Sequence, residues 1–242
     1  MRERSANPSV AELAQMIDHS LLQPVLTDAE LRAGCELAKI YGTASVCIKP
    51  YAVDLAASLL NESDVLVGTV IGFPHGNSTI SIKVAETERA LADGAIEIDM
   101  VVNVGKVLSG EWNYVIKEIG AVLEAVRKGS GILKVIFEND FLPEERYKIQ
   151  LCRICSDLKV DFVKTSTGYG FVKGKDGRYG YRGATDADLI LMRRHSDPQV
   201  QVKAAGGIRT LDDLLRVRAL GVTRVGATAT RAILEEAKRR WP

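Results

Sequence analysis

The chain has 242 residues, 46% of them hydrophobic, with 32 basic and 31 acidic side chains and a net charge of +1. That balance offers no basic face for nucleic acid or for an anionic membrane surface, and no apolar run approaches the roughly 20 residues of a membrane span. A chain this long buries enough surface to fold without a disulfide or metal staple.

The length fits one domain, since α/β barrels run to about 250 residues. Met1 to Pro8 carries charges but no apolar stretch of the signal-peptide kind, and residues 1–8 read as an N-terminal extension. The cysteines, Cys35, Cys47, Cys152 and Cys155, show no paired framework. Reduced thiols fit a cytoplasmic protein. Cys152 and Cys155 form a CxxC inside a helical pattern. They read as packing residues on one helix face, because no second Cys/His pair completes a zinc site.

Along the chain, apolar β-branched runs alternate with helical patterns. Strands are predicted at 16–22, 44–48, 65–71, 95–102, 133–138, 161–165, 200–205 and 223–226. Thr27 and Glu30 form a capping box before a helix at 31–40. Pro143 falls at a first-turn position before 144–158. Thr185 can cap 186–194, and Thr210 can cap 211–220. Gly94, Gly129 and Gly221 stand where helices should stop. Eight such units predict a parallel sheet covered by helices, closed into a (β/α)8 TIM barrel; an open doubly wound sheet is the alternative. Residues 169–183 break the rhythm after the sixth strand. Asp176-Gly177 is a hairpin-turn signal there, and the hairpin reads equally as a lid over the barrel mouth or as a passive surface loop.

Several strands carry charges at period two: Glu97 and Asp99 in the fourth, Lys134 and Glu138 in the fifth, Lys164 in the sixth, Lys203 in the seventh. Their apolar neighbours should face the helices, which turns the charges into the barrel. Isolated buried charges are costly, so these groups must pair structurally or do chemistry. The chemistry they suit is amine catalysis. A lysine attacks a carbonyl only as the free amine, and freeing it near neutrality costs roughly 4–5 kcal/mol of cation stability. A second ammonium ~5 Å away supplies about 3 kcal/mol at an effective dielectric of ~20. Lys164 and Lys203 lie on adjacent predicted strands, and Asp99 on a third can shuttle protons.

Ala205-Gly206-Gly207-Ile208-Arg209-Thr210 follows the seventh strand, and Gly226-Ala227-Thr228 ends the eighth. Barrels commonly hold phosphate in these two loops, where glycines let backbone N–H groups reach the anion. Ordinary turn use of the glycines is the competing reading; Arg209 either contacts the anion or sits at the rim.

These segments resemble the deoxyribose-phosphate aldolase family of class I aldolases, from about Ile17 to Ile233. The matching stretches are IDHS (17–20), SVCI (45–48), VGTVIGFPHG (67–76), EIDMVVN (97–103), LKVIFE (133–138), DFVKTSTG (161–168), GAT (183–185) and VKAAGGIR (202–209). The resemblance implies that Lys164 forms the Schiff base, that Lys203 lowers its pKa and that Asp99 relays protons. It implies reversible cleavage of 2-deoxy-D-ribose 5-phosphate to acetaldehyde and glyceraldehyde 3-phosphate, with no metal or organic cofactor. By the same resemblance Asp18, Ser20 and Cys47 line the pocket. Thr167, Gly168, Gly206, Gly207, Gly226 and Thr228 lie near the phosphate. The expected partners are thus a phosphorylated sugar and aldehydes, with a homo-oligomer, a dimer, as the assembly. The chain departs from the family pattern at Asn139-Asp140, at Tyr169 where many members have lysine, and at Thr228-Ala229 where paired serines are common.

Asp18-His19-Ser20 looks like a triad written in a row, but adjacent strand residues point to opposite faces, so His19 reads as structural. His75 either faces the site from the end of the third strand or has no role. Three histidines without metal-ligand spacing argue against a metal-dependent aldolase. Two other functions stay open: a related Schiff-base aldolase with another substrate, and a non-catalytic phosphosugar-binding barrel.

Overall fold

Residues 7–174 and 176–241 are described in a computed structural model. Of the expected N-terminal extension, residues 1–6 lie outside the described residues, as does Lys175 in the hairpin. Ser9 caps α1 (Val10–Ala14) through a capping box with Glu12. The chain then runs β1 (Ile17–Leu21), α2 (Asp28–Tyr41), β2 (Ser45–Ile48), α3 (Val53–Leu60), β3 (Leu66–Ile71), α4 (Ile80–Ala92) and β4 (Glu97–Val101). It continues with α5 (Val104–Leu108), α6 (Trp112–Lys128), β5 (Ile132–Ile136), α7 (Glu145–Asp157) and β6 (Phe162–Lys164). After the hairpin strands β7 (Val172–Lys173) and β8 (Tyr179–Gly180) come α8 (Asp186–His195), β9 (Gln201–Ala205), α9 (Leu211–Ala219), β10 (Arg224–Ala227) and α10 (Thr230–Arg240).

β1 pairs in parallel with β2 on one side and with β10 on the other, which closes the sheet. An open sheet would leave two strands with a single neighbour, so that alternative is excluded. The core sits between the barrel and its helices. Ile98 and Met100 of β4, Leu133 and Val135 of β5, Val163 of β6, and Val202 and Ala204 of β9 all point into it. Their neighbours Asp99, Lys134, Lys164 and Lys203 therefore point inward, because side chains alternate along a strand.

Thr27 and Glu30 form the predicted capping box, and Thr185 and Thr210 cap α8 and α9. Pro143 departs from expectation. Glu144 is extended (φ −110°, ψ 140°) and serves as the cap of α7, so the proline stands one residue before the cap, outside the helix. The hairpin forms as an antiparallel pair, with Val172 opposite Gly180 and Lys173 opposite Tyr179. Residues 174–178 connect the strands, a longer link than a two-residue Asp-Gly turn.

His19 lies buried against α10, its Nδ1 2.8 Å from Thr230 Oγ1. Burial pushes its pKa down to about 4. In the unfolded chain the imidazole takes up its proton near pH 6.5, so between pH 6.5 and 4 the unfolded state binds more protons. Stability is then lost as pH falls, by roughly 3 kcal/mol across that window. Denaturant titrations of wild type and His19→Gln at pH 7 and pH 4.5 are expected to show a shallower loss in the variant. Equal losses would mean that the buried ring contributes nothing to the acid response.

Candidate active site

Strand register brings the inward charges into one cluster. Asp99 is level with Lys134 across β4 and β5, and Lys164 is level with Lys203 across β6 and β9. Arg224 of β10 is level with Lys203. Asp99 Oδ2 accepts hydrogen bonds from Lys164 at 2.7 Å and from Lys203 at 2.6 Å. Lys203 also lies 2.5 Å from Asp18 Oδ2. Lys134 reaches Asp18 at 2.8 Å, Glu97 at 2.5 Å and Asp99 at 3.4 Å. Arg224 joins Asp18 and Glu97 at 2.6 and 2.9 Å, and Ser45 Oγ donates to Asp18 at 2.8 Å.

This connected set holds four cations and three carboxylates, nearly all sealed from water. It is electrically balanced only when one cation gives up its proton. Lys134 has three carboxylates within 3.4 Å, Lys203 has two, and Lys164 has Asp99 alone, which it shares with Lys203. Lys164 is therefore the least supported cation. Burial lowers its pKa and Lys203 lowers it further, against the opposing pull of Asp99. Lys203 stays charged: burial opposes this, but Asp18 and Asp99 together hold its pKa well above the ordinary value. Asp99, despite burial, is held low by Lys134, Lys164 and Lys203, and Asp18 by Lys134, Lys203 and Arg224. The expected weighting is thus reversed, because burial acts on Lys164 more strongly than its neighbouring ammonium does.

The cluster floors a cleft of about 190 Å³ at the C-terminal ends of the strands. Lys164 and Lys203 reach its surface. Ser20, Cys47, Thr167, Gly168, Gly206, Gly207, Arg209, Gly226 and Thr228 line it. Asp18 does not. It is fully buried beneath the cleft, where three cations and Ser45 occupy its carboxylate, so it supports the site without forming its wall. Asp99 also sits below the lining, behind the two lysines it bridges. Glu138 lies beyond the end of β5 in a left-handed conformation (φ 57°) and accepts hydrogen bonds from the Thr167 N–H and hydroxyl. It holds a cleft residue in place and is separate from the ion cluster. Burial thereby pushes its pKa up.

In the cleft wall Gly206 and Gly207 both adopt φ of +89°, a conformation that side chains resist. A Cβ on Gly207 would enter open space, so its backbone is presented bare to the cleft. Ala229 is the N-cap residue of α10 and supplies no side-chain cap, next to Thr228 in the cleft wall. Cys47 is buried in the wall, and burial pushes its thiol up to about 11. His75 is exposed and does not line the cleft. Cys152 and Cys155 are buried free thiols on α7, in keeping with packing roles. Among the described residues no group of three or more His, Cys, Asp or Glu side chains could hold a metal ion, and no helix is long and apolar enough to cross a membrane.

Sequence reasoning overlooked Arg224 in the cluster, and Leu22, Gln23, Tyr169 and Tyr181 in the wall. Arg224 was legible, since it stands two residues before Gly226 on the same face of its strand. Tyr169 and Tyr181 belong to the insertion, whose course no periodicity fixes. Phe73 meets Tyr169 edge to face at 5.5 Å, and Phe171 meets Tyr181 at 5.4 Å.

A closed parallel barrel with a charged cleft at the C-terminal ends of its strands defines a (β/α)8-barrel enzyme. The chain belongs to the DeoC/LacD aldolase family, whose model matches residues 12–236. It is 52% identical over 228 residues to the deoxyribose-phosphate aldolase of Rhodopirellula baltica, covering 94% of this chain and 90% of that protein. It is 46% identical over 232 residues to that of Caldanaerobacter subterraneus subsp. tengcongensis, covering 96% of both. The solved tetrameric deoxyribose phosphate aldolase from Aeropyrum pernix superposes with a TM-score of 0.84 at 27% identity. That match covers 95% of this chain and 92% of the solved one.

Proposed function

We propose that the protein reversibly cleaves 2-deoxy-D-ribose 5-phosphate to acetaldehyde and D-glyceraldehyde 3-phosphate through a Schiff base on Lys164. One observation carries this reading: Lys164 opens onto the cleft while sharing its single carboxylate partner, Asp99, with Lys203. Family membership and the named relatives support the substrate.

The free Lys164 amine adds to C1 of the open-chain sugar, and the carbinolamine loses water to give an iminium. Asp99, bridging both lysines, moves the protons of these steps between nitrogen and oxygen. The C3 hydroxyl then gives up its proton and the C2–C3 bond breaks. The bonding pair becomes the C1–C2 double bond of an enamine, with the iminium nitrogen as electron sink, and glyceraldehyde 3-phosphate leaves. A proton returns to C2, and water releases acetaldehyde and restores the amine. The Lys203 ammonium keeps the site positive at the moment the enamine forms, which stabilises oxyanion character on the departing aldehyde. Gly206, Gly207, Gly226 and Thr228, which line the same cleft, hold the phosphate.

A coupled assay for acetaldehyde release from deoxyribose 5-phosphate tests the reading directly. Turnover by the wild-type enzyme without added metal is expected; no release at any pH from 6 to 10 would refute it. The expected assembly is a homo-oligomer, a dimer, and a solved relative described as tetrameric supports its being oligomeric. Sedimentation velocity giving a monomer at micromolar concentration would overturn that part. The buried free thiols are in keeping with the cytoplasm as its location.

A further inference from the structure

The inserted hairpin is tied to the cleft by a residue that interrupts the family pattern. Asp140 follows β5 and its side chain is 5% exposed. Its Oδ1 accepts the N–H of Arg182 and its Oδ2 the N–H of Gly183, both at 2.9 Å. Two backbone donors on one carboxylate fix the returning strand of the hairpin in position and direction. Gly183 in turn lies directly on the glycine loop after β9. A Cβ there would come within 2.6 Å of Gly206 O, and Ala184 N–H donates to that same oxygen at 3.1 Å.

Tyr181 stands between the hairpin strand β8 and this clamp, and it lines the cleft. A Cβ on Gly206 would meet ring Cε2, the carbon next to the one bearing the hydroxyl, at 3.4 Å. Phe171, at the other foot of the hairpin, meets the Tyr181 ring edge to face at 89°. The phenol is thus held on two sides over the loop of Gly206 and Gly207. A phenol at neutral pH is a hydrogen-bond donor. At position 229, where the resemblance leads one to expect a serine hydroxyl, the chain carries Ala229, which has no side-chain donor.

We propose that Tyr181 is a specificity-determining residue that donates its hydroxyl proton to the phosphate group of the substrate, and that Asp140 is the positioning residue that seats it. The hairpin is then part of the anion site and supplies a hydroxyl donor that Ala229 does not. This rests on the reading that the substrate is a phosphorylated sugar bound at the glycine loops.

The test compares kcat/KM for deoxyribose 5-phosphate with kcat/KM for unphosphorylated deoxyribose. In Tyr181→Phe the ratio is expected to fall about tenfold, the loss of one hydrogen bond to a charged group, with the change in KM rather than kcat. Asp140→Ala lowers the ratio in the same sense although it does not touch the cleft, and Asp140→Asn, which keeps one acceptor, lies between. The double variant Asp140→Ala/Tyr181→Phe falls no further than Tyr181→Phe alone, because both remove the same contact. An unchanged ratio in Tyr181→Phe overturns the phosphate contact, and additive losses in the double variant overturn the positioning role. Thermal melts show whether Asp140→Ala is folded; if it is not, Asp140→Asn alone carries that arm. Should the wild-type enzyme fail to cleave deoxyribose 5-phosphate, the function falls but this inference is still decided by calorimetry with inorganic phosphate. A dissociation constant about tenfold weaker in Tyr181→Phe supports it, and equal affinities refute it.

Discussion

Lys164→Met is expected to lower kcat/KM for deoxyribose 5-phosphate by on the order of 10⁴-fold or more, because no other amine at the cleft can lose its proton. Lys203 and Lys134 each lie against two or more carboxylates and remain ammonium ions. Borohydride added with acetaldehyde is expected to fix one two-carbon adduct on wild-type Lys164 and none on the variant, as read by peptide mass. An adduct on Lys203, or full turnover without Lys164, would end the assignment. Stability separates the same two lysines in the other direction. Removing Lys164 takes away a cation that the cluster does not need for balance, so the variant is expected to unfold at or above the wild-type denaturant midpoint. Lys134→Met leaves Asp18 and Glu97 short of a partner in a sealed interior, at a cost of roughly 3–5 kcal/mol.

Lys203→Leu shifts the pH dependence. The two ammonium nitrogens each lie on Asp99 Oδ2, at 2.7 and 2.6 Å, so they are at most about 5.3 Å apart. Their repulsion there is about 3 kcal/mol at an effective dielectric of ~20, on the order of 100-fold in the fraction of Lys164 present as free amine. Without Lys203, three cations face three carboxylates, and the cluster balances only with Lys164 charged. Its pKa rises, so activity is lost near neutrality and returns as pH increases. The acid limb of kcat/KM is therefore expected to move to higher pH, with up to about 100-fold lower activity at pH 7 and a smaller deficit at pH 9. An unmoved limb would show that burial alone frees the amine.

Both results turn on which features of this chain are local and which are not. Strand order, the starts of α2, α8 and α9 and the inward direction of Asp99, Lys134, Lys164 and Lys203 follow from the sequence alone. Each depends on alternation or a cap within a few residues, and apolar neighbours such as Ile98, Val163 and Val202 fix the parity. The glycine loops after β9 and β10 are legible for the same reason, as turn residues at known strand ends.

Barrel closure decided the rest. Only when β1 meets β10 do Asp18 and Arg224, 206 positions apart in the chain, come together. That meeting removes Asp18 from the cleft wall and commits it to holding cations. The sharing of one Asp99 oxygen by two lysines is likewise a matter of distance across the barrel, which no spacing along a strand encodes. The same holds for the insertion: Asp-Gly announces a turn, but the seat of Tyr181 is set by a carboxylate 41 residues earlier in the chain. Periodicity records which way a side chain points; which charges it then meets depends on the register and curvature of strands brought together from distant parts of the chain.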